Sequence, residues 1–325
     1  MSITLDLAAL RAAQRRIADR AIRTGLQHSK TLSQRTGSPV FLKMETRQQT
    51  GSFKLRGATS AIRNLESEQR GRGLVTISTG NHGRAVAFAG RAESLRVVVC
   101  LSSLVPANKV AAIRELGAEV SIVGNCQDDA QVEAERLARD EGLILISPFD
   151  DPAVIAGQGT IGLEILDDLP GVSEVLVPLS GGGLAGGIAL AIKSRRPHAR
   201  IIGISMSTGA AMHASLEAGQ PVIVPEGNSL ADSLGGGIGL DNRFTFDLCR
   251  RLLDDVILLS EAEIASGIRH AFQNEGEVVE GAGAVGIAAI LAGKVTPAGP
   301  TAIIISGRNI DAGLHRQILD MPAVA

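Results

Sequence analysis

From Leu74 to Ile146 the chain alternates short aliphatic runs with amphipathic segments, and this alternation constrains the fold more than any other feature. Leu74–Ile77, Leu95–Leu101, Ala118–Val123 and Leu143–Ile146 read as strands. Asn81–Ala92, Pro106–Leu116 and Asp128–Asp140 read as the helices between them, the second with proline in its first turn and Gly117 at its end. Runs such as Val97-Val-Val-Cys100 do not alternate with polar residues, so both faces of the sheet are expected to be covered. That is the signature of parallel strands with helices packed on each side. The pattern returns at Val175–Val177, Ile201–Ile204, Val256–Leu259 and Ala302–Ile305, with Ser260-Glu-Ala-Glu263 as a capping box opening a helix. Upstream, residues 7–24 read as one amphipathic helix carrying Leu7, Leu10, Ala13, Ile17 and Ala21 on one face. Val40–Met44 reads as a strand and Lys54–Leu65 as a helix. The class is α/β, and 325 residues are enough for two domains.

Several function classes are disfavoured. A net charge of −2 gives no field to draw nucleic acid or an anionic membrane. Trp and Tyr are absent and Phe numbers seven, which removes the usual stacking platforms for single strands. No apolar stretch approaches the ~20 residues that span a bilayer, and no apolar segment near the N-terminus reads as a secretory signal. A cytoplasmic location is expected, with neither nucleic-acid nor membrane partners. Cys100, Cys126 and Cys249 are widely separated and odd in number, so neither a disulfide framework nor metal spacing is indicated. The 38 glycines cluster between apolar runs, which points to close backbone approach to a ligand.

Lys54 lies between Phe53 and Leu55, just after Gly51-Ser52. A lysine in apolar surroundings loses part of its preference for the ammonium form, and a neutral amine can attack an aldehyde. A solvated surface lysine is the commoner reading of such a residue taken alone. Ser180-Gly-Gly-Gly-Leu184 follows a strand and opens a helix, where unhindered N–H groups and the helix dipole favour a phosphate. It is not a dinucleotide fingerprint, because Ile201–Ser205 offers no acidic residue for a ribose. Ser78-Thr-Gly-Asn-His82 also sits where a strand turns into a helix, so Ser78 or Asn81 could serve as a cap. Ser306 ends a strand, and Glu280 reads as a carboxylate at a helix start.

The stretch Leu42–Ala58, with Thr50-Gly-Ser-Phe-Lys54-Leu-Arg-Gly-Ala58, resembles the cofactor-lysine motif of the fold-type II pyridoxal phosphate (PLP) enzymes. This family includes threonine dehydratase and serine racemase and shares the tryptophan synthase beta-like fold. The resemblance covers nearly the whole chain. It implies that Lys54 bonds the cofactor aldehyde beside Phe53, and that Ser180, Gly181, Gly182, Gly183 and Leu184 hold its phosphate. It implies that Asn81 meets the phenolic oxygen, that Ser306 meets the pyridine nitrogen, and that Glu280 lines the site. Ser78, Thr79, Gly80, Asn81 and His82 would grip the substrate carboxylate, with Ser233 beside the substrate. Thr79 occupies the slot of a second acid/base; its stiff β-branched hydroxyl is expected to favour elimination over racemisation. His82 is given no proton-transfer role. The resemblance also implies a large domain of residues 1–72 and 151–325 and a small one of residues 73–150. Asp150, Asp151 and Gly157-Gln-Gly-Thr160 match a further family segment and read as architectural.

Some positions depart from the family pattern. Gly281 replaces proline, Ser233 and Arg308 replace glycines, and Arg84 replaces glutamine. These changes resemble the branch called hydroxyectoine-utilisation dehydratases. Ser205–Ala211 lacks the carboxylates with which some relatives bind a divalent cation, so no metal is expected. The chain stops soon after Ser306, so control through a C-terminal regulatory domain is not expected. The expected activity is elimination of water from a β-hydroxy α-amino acid, giving a 2-oxo acid and ammonia, in a homodimer. An amino-acid racemase, a catalytically silent binding protein and a β-replacement synthase are the rival readings.

Overall fold

The computed structural model describes residues 4–78, 80–105, 107–125 and 127–321. In chain order the first five strands are β1 (Leu26–Ser29), β2 (Val40–Met44), β3 (Leu74–Ile77), β4 (Val97–Leu101) and β5 (Glu119–Ile122). The remaining five are β6 (Ile144–Leu145), β7 (Glu174–Pro178), β8 (Arg200–Met206), β9 (Asp255–Leu259) and β10 (Thr301–Ile305). They form a six-stranded sheet ordered β1-β2-β10-β7-β8-β9 and a four-stranded sheet ordered β5-β4-β3-β6. Every pairing is parallel except β1 with β2. The aliphatic runs make this possible: β4, β7 and β10 are buried along their whole length, as strands covered on both faces must be.

The structure adds short helices that the sequence reading did not place, among them Lys30–Thr36, Ala211–Ala218, Thr245–Leu252 and Ala312–Asp320, and it differs in three further places. The first helix spans Leu7–Ile17 and not 7–24. Its buried face is Leu10, Ala13 and Ile17, and Asp6 caps its start by accepting from the N–H of Ala9. The periodicity at Ala21 does not extend the helix, because the Gln48 side chain takes both backbone groups of Ile22. Its Oε1 accepts from Ile22 N at 3.0 Å and its Nε2 donates to Ile22 O at 2.8 Å. β1, with the sequence Leu-Gln-His-Ser, has no strand-like pattern and is ordered by antiparallel pairing at the sheet edge.

The third difference is the helix Pro152–Asp168, whose three glycines, Gly157, Gly159 and Gly162, hid it. Asp151 caps it through the N–H groups of Ala153 and Val154, and proline opens it. Gly159 and Gly162 serve packing against the helix Gly183–Arg195: a Cβ on Gly159 would lie 2.8 Å from the Gly187 carbonyl oxygen, and one on Gly162 3.0 Å from that of Ile188. Both helices flank the six-stranded sheet, and a third, Gly281–Leu291, is buried over nearly all its length. Among the described residues no helix is long and apolar enough to cross a membrane.

Candidate active site

A cavity of about 250 Å³ opens where the carboxyl ends of β3, β7 and β10 converge. Parallel α/β sheets place ligands in that position, because successive loops leave the strand ends there. Its wall includes Phe53, Lys54, Ser78, Gly80, Asn81, His82, Ser180–Leu184, Ser233, Glu280 and Ser306. The described residues proposed for the site therefore line a single cavity. Thr79 lies outside the described residues.

Lys54 begins the helix Lys54–Asn64 and donates from Nζ to the carbonyl oxygen of Pro148 at 2.7 Å. Burial pushes its pKa down to about 8, partly opposed by the negative charge of Glu280. The preceding segment is bonded to β10's exit: Phe53 N–H donates to Ser306 O at 3.0 Å, and Ser52 bridges to Gly307. Lys54 and Ser306 thus belong to one backbone-locked unit.

The loop Ser180–Gly182 leaves β7 and opens the helix Gly183–Arg195, which has no side-chain cap. Gly182 has φ +87, in the left-handed region, and a Cβ on Gly181 would sit 2.4 Å from the Phe149 ring. The loop is wedged between that ring and the cavity, with its amides uncapped.

His82 is buried, and its Nε2 pairs with Ile146 O at 3.0 Å. A carbonyl only accepts, so Nε2 carries the hydrogen and Nδ1, which has no partner among the described residues, is left as an acceptor. Burial, then the nearby Lys54 charge, pushes its pKa down to about 3. A neutral histidine of this kind fits positioning and not proton exchange.

Glu280 stands at the cap position of Gly281–Leu291 but makes no cap bond. Its carboxylate turns away to accept from Asn81 Nδ2 at 2.7 Å and from Asn309 N at 3.0 Å. Burial raises its pKa to about 7, the Asn81 bond opposing and the Asp232 charge reinforcing the shift. Asp232 and Ser233 lie exposed on a short turn at the mouth, where Lys109 pairs with Asp232 at 3.7 Å.

Arg84 lines the cavity, whereas Arg308 is exposed and does not. Position 308 therefore contributes its backbone N–H, bonded to Gly51 O, which a glycine would supply equally, and its side chain adds no wall to the pocket. Asp150 is architectural as expected: its carboxylate gathers the N–H groups of Arg243, Phe244 and Thr245. Gln158, placed in the same architectural group, also lines the cavity, and its Oε1 is buried without a partner.

Sequence reading missed two contributors. Asn309, three residues beyond Ser306, joins Asn81 to Glu280. The second is a buried ion cluster behind the lysine helix. Arg56 donates to both oxygens of Glu45 at 2.8 Å and to both of Glu164 at 2.6 and 2.9 Å. Lys43 closes it through Glu164 at 2.5 Å. Two cations and two anions balance, and the fork of Arg56 ties the first turn of the lysine helix to the turn Glu45–Arg47 that follows β2 and to Pro152–Asp168. The available signal was two ionisable residues, Lys43 and Glu45, in and just after an otherwise apolar strand.

An amine within a cavity, an uncapped glycine loop at a helix start and a strand-end serine backbone-bonded to the lysine segment define a class, the fold-type II PLP-dependent enzymes. The donor set fits that cofactor: an amine for its aldehyde, amides for its phosphate and a neutral hydroxyl for its ring nitrogen. Residues 17–307 match the family model described as pyridoxal-phosphate dependent enzyme, and the chain belongs to that family. A protein of Sinorhizobium fredii, provisionally named a threonine dehydratase, is 57% identical, covering 97% of this chain and 96% of that one. The L-threonine ammonia-lyase of Thermotoga maritima is 40% identical over 97% of this chain and 78% of its own length. The structure of maize serine racemase superposes with a TM-score of 0.92 at 32% identity, covering 97% of both chains. Among the described residues no cluster of three His, Cys, Asp or Glu could hold a metal.

Proposed function

We propose that this chain is a lyase that removes water from a β-hydroxy α-amino acid of the threonine or serine kind, releasing a 2-oxo acid and ammonia. The observation that carries the reading is Lys54, an amine of lowered pKa facing the cavity that the Ser180–Leu184 loop and Ser306 also line. Bound PLP supplies the electron sink for charge that develops at the substrate Cα. Lys54 carries the cofactor and, once released, accepts the Cα proton at Nζ; a pKa of about 8 leaves a useful fraction neutral at neutral pH. Ser78, Gly80 and Asn81, at the start of the helix Asn81–Ala92, orient the substrate carboxylate with the helix dipole. Neutral His82 and the walls from Phe53 and Leu184 keep the reacting carbons from water. The neutral hydroxyl of Ser306 at the ring nitrogen suits elimination better than amino transfer. The β-hydroxyl leaves as water by taking up one proton, which balances the one gained at Nζ, and the resulting enamine tautomerises and takes up one water to release ammonia.

The finer reading is a substrate derived from hydroxyectoine. Arg84, Ser233 and Gly281 support it, since each departs from the family pattern at or beside the cavity. We read residues 1–72 and 151–325 as the cofactor-carrying domain and residues 73–150 as the substrate-side domain, in a cytoplasmic homodimer. The test is direct. Purified protein given PLP should show a visible band, and L-threonine, L-serine, 3-hydroxyaspartate and hydroxyectoine-derived amino acids should be screened for ammonia and 2-oxo acid. A protein without the band, or one that only inverts its substrates on chiral analysis, is not this lyase.

A further inference from the structure

We propose that Asn309 is a positioning residue that sets which way round the Asn81 amide sits, so that Asn81 turns an N–H into the cavity. The two ends of an asparagine amide are alike in shape and differ only in donating or accepting, so its neighbours decide its orientation.

Those neighbours form a one-way chain. The Thr50 carbonyl can only accept, and it takes a bond from Asn309 Nδ2 at 2.9 Å. The Arg84 guanidinium can only donate, and its Nη1 meets Asn309 Oδ1 at 3.3 Å. Two groups of fixed polarity at opposite ends leave Asn309 one orientation. Its second Nδ2 hydrogen meets Asn81 Oδ1 at 2.5 Å, which makes that atom the acceptor. Asn81 Nδ2 then faces Glu280 Oε1 at 2.7 Å, while Glu280 Oε2 is held by Asn309's own N–H at 3.0 Å. Turning the Asn81 amide over would set N–H against N–H at Asn309 and carbonyl against carboxylate at Glu280. Both contacts are repulsive in a buried place. One hydrogen on Asn81 Nδ2 remains for an acceptor in the cavity that Asn81 lines. That this acceptor is an oxygen of PLP rests on the function proposed above; the orienting role of Asn309 does not.

The test is a double-mutant cycle of Asn309→Leu and Asn81→Leu in the full chain. The first readout is the Glu280 carboxyl titration by carbon-13 NMR without added cofactor. Lys54, Asp232 and Lys109, the charges facing that carboxyl, stay in place in all four proteins. The second is the dissociation constant for PLP, read from its visible band. Asn309→Leu alone should raise the Glu280 titration midpoint and weaken cofactor binding about five- to tenfold, the size of one lost hydrogen bond. In the Asn81→Leu background it should change neither further. Equal effects in both backgrounds would overturn the proposal, because Asn309 would then act without Asn81. If the leucine variant does not fold, Asn309→Ala, which lacks the side-chain donor and adds no charge beside Glu280, takes its place with the same expectations. A wild type with no visible band would remove the cofactor reading, while the titration arm still decides the role of Asn309.

Discussion

The amine of Lys54 donates to the carbonyl oxygen of Pro148 at 2.7 Å, and among the described residues no carboxylate bonds to it directly. A carbonyl dipole offsets only part of the cost of burying an ammonium, which is why the pKa falls while the amine stays in place. Glu280 acts on it only as a more distant charge. The lysine is thus held ready without being fixed in its charged form.

Replacing Lys54 by arginine keeps a cation of similar reach but removes the titrating amine. Proton transfer alone then accounts for a loss of roughly 10²–10⁴-fold in kcat/KM. The visible band of lysine-bound cofactor should disappear. A variant that keeps both band and turnover would take Lys54 out of the chemistry.

The sequence made the sheets legible and left much of the site's wiring hidden, for one physical reason. Aliphatic runs such as Val97-Val-Val-Cys100 report burial locally, so strand positions could be read from single segments. The bonds that orient the site link residues far apart in the chain. Asn81 meets Glu280, Arg56 meets Glu164, and Ser306 meets Phe53, and no local periodicity carries those contacts. Resemblance grouped the described candidate residues, while Asn309 and the partners of Arg56 emerged only from the fold.

Glu280 gives a pH-dependent stability with a definite sign. Its folded pKa is raised from about 4.5 to about 7, so between those values the folded chain binds more protons than the unfolded one. Stability should therefore fall as pH rises through this window, by up to about 3 kcal/mol. Glu280→Gln removes the titrating group. Urea unfolding at pH 5 and pH 8 should show the wild type losing stability relative to this variant at the higher pH. A difference that does not change between the two would mean the carboxyl is ionised throughout. The activity profile should likewise lack a limb from His82, whose pKa of about 3 keeps it neutral.

The buried cluster around Arg56 should be costly to break. Arg56→Met leaves Glu45 and Glu164 facing each other with only Lys43 between them, in a place where Arg56 is 1% exposed. Removing one partner of a buried ion network costs about 3–5 kcal/mol. Because Arg56 lies two residues beyond Lys54, the cofactor band should also weaken in protein that remains folded. Denaturant melts and cofactor titration on the same samples check both effects, and a loss under about 1 kcal/mol would show that the network is not stabilising.

Gly281 links the helix start behind Glu280 to the turn at the cavity mouth. A Cβ placed there would lie 2.0 Å from the carbonyl oxygen of Leu230, and 2.8 Å from the N of Ala231. Both are backbone atoms, so no side-chain rotation relieves the clash, and the segment leading to Asp232 and Ser233 must move. That segment is tied at Leu230 N–H and at Ser229 to Glu261, so displacement also strains those bonds. Gly281→Ala should therefore alter substrate KM, by shifting Ser233 and the Lys109–Asp232 pair, more than it alters kcat, since Lys54 and Ser306 are held by separate backbone bonds. Steady-state kinetics separate the two parameters. A fall in kcat with KM unchanged would mean that the added methyl acts through Glu280 and not through the turn.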